Sequence, residues 1–539
     1  MRWRTSAASM SAVADATPVL YEGPPLAAPI PPITLPQLVR ERARRHPDAV
    51  ALVDAASGHR LSYGELDQRI GRVAAGLAAQ GFRPGDLLLM LAPNSPEWPL
   101  MALGAMAAGG AVTGANPQYA APDLAHQLAD SGARFVCTTF AGVAVVREAA
   151  ALNGSEVSII VFGEAPAGMV AFDRLLQCAD PEPAWSSDPD ALAALPYSSG
   201  TTGAGKGVRL THRTLVANVL QVDQMLPLPP GTVVLAFLPM FHIYGFAAIT
   251  LCSLVGGALV VTLPRFEPEA FVGAIERYRV TRVGVVPPVV QFLASHPMIE
   301  GRDLSSLERV GSGAAPLGAD VEDRVVARLG RPVTQGYGMT ESSGVWATTP
   351  VGRGRRGSSG LLLPGTQARV IDIERGTDAA RGASGELWLR GPQAFTGYHR
   401  QPEATAATIT TDGWVRTGDI GHFDADGYLF ITDRLKELIK VKGFQVAPAE
   451  LEALLFTHPD VADAAVIGRA DERAGELPVA YVVPRRAPLD VAALLDWVAE
   501  RVVAYKRLAD VVVCDTIPKT AAGKILRREL RQRDARRGA

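Results

Sequence analysis

The sequence predicts a multi-domain α/β protein with a separate unit of mixed helix and strand at its end. Three observations carry this. A chain of 539 residues exceeds what one hydrophobic core serves. From residue 35 onward strand-like and helix-like patterns alternate, as in parallel sheets buried on both faces. Between about 360 and 433 that alternation gives way to short strands with frequent Gly and Asp-Gly turns, an antiparallel pattern.

Taken in order, residues 1–33 are rich in Ala and Pro, end near Pro29, Pro31 and Pro32, and read as an extended, disordered leader. Helical spacing starts at 35–43, followed by a strand at 49–53 and a helix opening at Ser62, with Glu65 in capping-box position. An almost wholly apolar strand at 86–91, a helix at 97–109, a strand at 110–113, a helix at 122–130 with Pro122 in its first turn, and a strand at 134–137 continue the alternation. Strands at 233–237, 258–262 and 283–286 extend it, and the antiparallel region carries strands at 367–371, 385–391 and 427–431. The last stretch, about 100 residues, mixes helices at 448–457 and 491–502 with strands at 464–467, 480–483 and 510–513, enough for a domain of its own.

Composition narrows the function. Apolar residues make up 48% and charged residues 20%, the proportions of an ordinary globular protein, and a net charge of −2 gives no basic field for nucleic acid. A small-molecule substrate is the expectation. Cys137, Cys178, Cys252 and Cys514 are far apart, without zinc or disulfide spacing, which suits reduced thiols in the cytoplasm. No apolar run is long enough to span a membrane; the best stretch, 247–263, is short and broken by glycine. The C-terminal Arg-Arg-Gly-Ala is not a peroxisomal Ser-Lys-Leu address.

The chemistry centres on Ser198, Ser199, Gly200, Thr201, Thr202, Gly203, Ala204, Gly205, Lys206 and Gly207. Glycines let backbone N–H groups approach oxygens, hydroxyls donate hydrogen bonds and the lysine adds positive charge, so the run reads as a grip on a nucleoside triphosphate. A Walker A loop shares the spacing from Gly200 to Lys206, but Gly207 stands where that loop needs Ser or Thr. A functionless linker would rarely sit between the apolar approach at 191–197 and the helix-like 214–220.

Further boxes follow in order: Thr334-Gln335-Gly336-Tyr337-Gly338-Met339-Thr340-Glu341, then 385–391, Thr417-Gly418-Asp419, 433–450, and 518–528 around Gly523-Lys524-Ile525. With the glycine run they make six stretches that resemble the adenylate-forming acyl-CoA synthetases, most of all the 4-coumarate:CoA ligases. The resemblance covers about 35–530. It implies an ATP- and acid-binding N-terminal domain at 34–433, built of two packed α/β sheets and a small β-rich part, and a small mobile α+β domain at 434–539. It implies a reaction in which ATP and a carboxylic acid give an acyl-adenylate and pyrophosphate, after which coenzyme A displaces AMP.

On that resemblance Lys524 bridges the substrate carboxylate, ribose and α-phosphate, where two anions must be brought together. Thr201, Thr202 and Lys206 hold the β and γ phosphates, Ser198, Ser199, Gly200 and Gly203 shape the loop, and Glu341 holds Mg²⁺. Tyr337 and the turn at Gly313 and Ala314 flank the adenine, Gln335, Gly336 and Thr340 belong to the ATP site, and Asp419, helped by Arg434, receives the ribose hydroxyls. Lys436 is the hinge, Lys440 and Gln445 serve the adenylate in one pose or the other, and Lys442 and Gly443 meet coenzyme A. His242 stands near the tunnel mouth, and Ile243, Tyr244, Ala247, Gly311, Gly336, Gly338, Gly344, Val345 and Trp346 form the acyl pocket.

Two departures bear on the acid. Gly311 replaces the lysine common in the plant hydroxycinnamate enzymes, and Ser343-Gly344-Val345-Trp346 replaces Gly-Pro-Val-Leu. The expected substrate is an apolar aryl or fatty acid, with the Trp346 indole shortening the pocket. In the phosphate loop, Ala204-Gly205 replaces a Leu-Pro-like pair, which loosens it. Transfer to a carrier protein, a luciferase-like oxidation and a silent nucleotide-binding protein are the rival readings; retention of Lys206, Glu341, Asp419 and Lys524 speaks against the last. The expected partners are small molecules, with the chain a monomer or homodimer.

Overall fold

The computed structural model describes residues 19–184, 188–198, 205–442, 444–520 and 523–538. Two mainly parallel sheets dominate. The seven-stranded sheet runs Leu210–Thr211, Leu192–Ala194, Ala111–Gly114, Leu87–Leu91, Phe135–Thr139, Ser158–Phe162 and Val170–Ala171. The nine-stranded sheet runs Leu361–Leu362, Ala347–Thr348, Val333–Tyr337, Arg309–Ser312, Arg282–Val285, Val233–Ala236, Leu259–Thr262, Val50–Asp54 and Arg60–Ser62.

Period-two alternation decides how they pack. Leu88 and Met90 enter a core shared with the nine-stranded sheet, while Leu87, Leu89 and Leu91 enter a second core on the opposite face. That is why Leu87–Leu91 is apolar throughout and wholly buried. Between the sheets, helix Tyr63–Ala79 starts at the expected capping box: Ser62 Oγ accepts from Glu65 N at 3.1 Å and Glu65 Oε2 accepts from Ser62 N at 2.8 Å.

A five-stranded antiparallel sheet is ordered Tyr21–Glu22, Gln367–Ile371, Gly385–Arg390, Val415–Phe423 and Leu429–Arg434. Its first strand corrects the expected leader. Residues 1–18 lie outside the described residues, but 19–33 pack against the body: Tyr21 stacks on Phe423 with centroids 4.2 Å apart, and Gly23 N donates to Thr366 O at 2.8 Å. Composition weighs the prolines and misses one aromatic ring that stacks on a distant strand of the sheet it joins.

The last unit joins Phe444–Val446, Ile439–Val441, Gly475–Pro484 and Val461–Asp471, with Asp510–Val513 parallel to Gly475–Pro484. It has apolar clusters of its own. Buried Arg527 donates to Glu437 at 2.5 Å and to Glu452 at 2.6 and 2.7 Å, tying the segment that follows Lys524 to the segment that follows Leu429–Arg434. The four cysteines are free thiols, and among the described residues no helix is long and apolar enough to cross a membrane.

Candidate active site

A cavity of about 1350 Å³ opens at the carboxyl ends of the central strands of the nine-stranded sheet, where parallel sheets commonly take ligands, and runs down one face to Arg282 and Arg309 at their amino ends. Residues of the antiparallel sheet and of the last unit close its other sides.

On one side, Tyr197–Ser198 pairs antiparallel with Lys206–Gly207, so Ser198 and Lys206 face each other at the base of the glycine run. Ser199, Gly200, Thr201, Thr202 and Gly203 lie outside the described residues. The hairpin is pinned by His399 N donating to Gly207 O at 2.8 Å. Lys206 Nζ stands 4.8 Å from the Tyr398 ring centroid, and the Tyr398 hydroxyl donates to Glu341 Oε1 at 2.7 Å. Tyr398 thus connects the loop lysine to Glu341, whose carboxyl is buried in the turn Thr340–Ser342 and raised above the usual carboxylate range by that burial.

Tyr337 lines the cavity at the end of its strand, and its hydroxyl donates to Asp419 Oδ2 at 2.6 Å. Arg434 Nε meets Asp419 Oδ1 at 2.9 Å. Asp419 is buried behind these two side chains, with one lone pair of each oxygen engaged and further ones left. Gly313 and Ala314 line the wall, Ala314 at φ 72°, a left-handed conformation that turns the chain at the strand end. Gln335 belongs to the support of that turn: its amide donates to Leu317 O at 3.1 Å and accepts from Leu317 N at 3.0 Å.

On the acid side, Ile243, Tyr244, Gly311, Gly336, Gly338, Gly344 and Val345 line the cavity as expected. Ala247 and Trp346 are not on its wall. Residues Tyr244–Leu251 form a π-helix, in which the i to i+5 closure brings Ala248 and Ile249, rather than Ala247, round to the face of Tyr244. Trp346 alternates with Val345 along an extended segment and points away, fully buried, so its indole does not shorten the pocket. His242 lines the cavity with Nδ1 accepting from Tyr244 N at 3.2 Å, and burial pushes its pKa down to about 4, so the ring is neutral. Deeper in, the wall is not apolar alone: Arg282 and Arg309 both line it.

From the last unit, Lys524 and Lys436 reach the cavity. Burial, then the neighbouring Arg434, brings the Lys524 ammonium down to about 8. Lys440 and Gln445 face each other across a hairpin and are exposed, as is Lys442; none lines the cavity, and Gly443 lies outside the described residues.

The family profile described as AMP-binding enzyme matches residues 39–399, and that of the AMP-binding enzyme C-terminal domain matches 450–524. The chain belongs to the AMP-binding enzyme family. It is 42% identical over 493 residues to 4-coumarate–CoA ligase 2 of Nicotiana tabacum, covering 89% of this chain and 90% of that one. Among solved structures, ATP-bound MatB from Rhodopseudomonas palustris superposes with a TM-score of 0.84 at 30% identity, over 92% and 98% of the two chains. The anthranilate CoA ligase AuaEII, solved with anthranoyl-AMP, does so with a TM-score of 0.86 at 26% identity, over 93% and 98%. The expectation of an AMP-forming acid–thiol ligase stands.

Within this member of the family, sequence reasoning missed Tyr398, Asn218, Arg282 and Arg309. Asn218, on helix His212–Met225, clamps the pocket wall by donating to Val345 O at 2.8 Å and accepting from Val345 N at 3.2 Å. A polar residue among apolar neighbours at 217 and 219 was the one local sign of it. Tyr398 carried no sign, because its partners are distant in the chain.

Proposed function

We propose that this chain is an ATP- and Mg²⁺-dependent acid–CoA ligase working in two steps at this cavity. The observation that carries the reading is the entry of Lys524, from the last unit, into a cavity lined also by Glu341, Tyr337 and Arg434, the last two bonded to Asp419 just behind the wall. Relatives named as CoA ligases, and neighbours solved with ATP or an acyl-adenylate, support it.

In the first step a carboxylate oxygen bonds to the α-phosphorus of ATP and the bond to the bridging oxygen breaks, releasing pyrophosphate. Lys524 places its charge between the two anions, Ser198 and Lys206 take the outer phosphates, and Asp419 receives the ribose hydroxyls. The buried Glu341 carboxylate, whose one side-chain donor among the described residues is Tyr398, suits a hard cation that keeps most of its waters. Glu341 would hold Mg²⁺ there, and the ion would supply neutralisation of phosphate charge. In the second step the coenzyme A sulfur bonds to the acyl carbon, AMP leaves and the thiol proton passes to solvent. The last unit turns about Lys436 between the steps, withdrawing Lys524 and bringing Lys440, Lys442 and Gln445 inward. Leu226, Leu228, Val234 and Ile249 line the acid end, which favours an aryl acid of the cinnamate kind or a fatty acid.

The test is pyrophosphate release with ATP, Mg²⁺ and a panel of cinnamic, benzoic and fatty acids, with and without coenzyme A. Acid-dependent release, thioester formation on adding coenzyme A, and a loss of at least about 10²–10³ in Lys524→Ala are expected. Release that ignores both the acid and Lys524 rejects the reading. Release without thioester favours transfer to a carrier protein.

A further inference from the structure

Arg282 and Arg309 are direct partners on two adjacent parallel strands, and two residues on in each strand stand Gly284 and Gly311, also partners. Side chains two apart share a sheet face, so both arginines lie on the face of the two glycines, and all four line the cavity; over Gly284 that face is covered by Ile249, whereas over Gly311 it is open. At about 3.3 Å per residue, the arginine backbone lies roughly 7 Å deeper than Gly311. A Cβ on Gly311 would meet nothing nearer than Val283 O at 3.9 Å, so space remains above the guanidinium of Arg309.

The donors of these arginines are only partly used. Arg309 Nε donates to Thr334 Oγ1 at 2.9 Å and Nη2 to Thr349 O at 2.5 Å, which orients the guanidinium and leaves Nη1 without a protein acceptor among the described residues. Arg282 Nη2 reaches Pro227 O at 3.4 Å, and its Nε is buried without a partner. Neither makes an ion pair among the described residues, although arginines elsewhere in the chain, such as Arg302 and Arg527, pair with carboxylates. Glu308 is the one carboxylate that acts on Arg282, and it forms no ion pair with either arginine, so two neighbouring cations on a cavity wall still call for an acceptor from solvent or ligand. Of the two, Arg309 is the one already oriented by two hydrogen bonds.

Resting on the ligase reading, we infer that the acid carries an oxygen acceptor at the end remote from its reacting carboxyl, and that Arg309 receives it. Arg309 is then a specificity-determining residue, and the apolar middle of the cavity takes the body of the acid. A hydroxyl and a second carboxylate share this chemistry. The carboxylate gains more, because it also offsets the charge of both arginines.

The experiment compares kcat/KM for pyrophosphate release with cinnamic, 4-hydroxycinnamic and 4-carboxycinnamic acids, and with octanoic and octanedioic acids. It uses the full-length wild type, Arg309→Met and Arg309→Lys. The wild type is expected to prefer an acid with the far oxygen by about 10-fold or more, and Arg309→Met to remove that preference while retaining the plain acids. Arg309→Lys restores part of it by keeping a cation. A structural role alone would lower every acid by one common factor, together with the melting temperature, and that outcome overturns the inference. So does a wild-type preference for the plain acids, or a preference that survives in Arg309→Met. Release from no acid at all rejects the ligase reading, whereas release without discrimination rejects only the role of Arg309.

Discussion

Lys524 shows how one residue's setting sets the working range of the site. Burial lowers its pKa to about 8, so in the free protein the ammonium is mostly charged at neutral pH and loses its proton as pH rises through that value. A reaction that needs the cation therefore declines on the alkaline side. The profile of kcat/KM for ATP in pyrophosphate release should fall with a midpoint near 8, and Lys524→Arg should move that limb out of range, since a guanidinium stays charged. A profile that is flat to well above this midpoint would remove Lys524 from the rate-determining charge. Gly338 represents another kind of constraint: a Cβ there would sit 1.9 Å from Gly344 O, so the two halves of the pocket wall touch only because the side chain is absent. Lys524 was legible because it stands in a box with neighbours of known use, and Gly338 because its box is rich in glycine. Arg309 was not, since a strand arginine reads equally well as a surface charge until the fold shows which face it is on.

Among the elements, the helices and strands were largely readable from period and caps, and the π-helix Tyr244–Leu251 was not. Its sequence is apolar on all sides, and nothing in such a run separates i to i+4 from i to i+5 closure. The link after strand Leu429–Arg434 is the other decisive element, because Lys436 lies in it and lines the cavity. A turning domain needs dihedral change at a few linking residues, and proline holds φ near −65°. Lys436→Pro should keep acid-dependent pyrophosphate release within a few-fold and lower thioester formation by about 10-fold or more. Equal loss of both steps would place the effect on the site itself and not on the turn.

At the scale of the molecule, buried neutral histidines couple folding to pH. His212 lies in the core with Nδ1 accepting from Leu35 N at 3.2 Å, joining helix Leu35–Ala43 to helix His212–Met225, and burial pushes its pKa down to about 4. His242 is held down to about 4 in the same way. Between about 4 and the ordinary 6.5 the unfolded chain binds more protons than the folded one, so stability rises with pH across that window. The contribution is complete above 6.5 and is lost as pH falls through 4, on the order of 3 kcal/mol per histidine. Urea unfolding midpoints should drop steeply from pH 6.5 toward 4, and His212→Gln should flatten part of that slope. An unchanged slope would assign the acid sensitivity to other groups.

The sequence by itself determined the elements, their α/β alternation and the family, because period, caps and boxes are local properties of the chain. It also named most of the residues that now share one cavity, from Lys206 and Glu341 to Lys524. The tertiary structure decided what depends on partners far apart in sequence. Strand Val50–Asp54 pairs on one side with its chain neighbour Arg60–Ser62 but on the other with the distant Leu259–Thr262, and Tyr21 closes a sheet that lies more than 300 residues away in the chain. Likewise Trp346 turns from the pocket into the core, and Arg282 and Arg309 meet at the acid end. In each case the deciding quantity is the face or the neighbour a residue acquires when sheets pack, and no window of the sequence contains it.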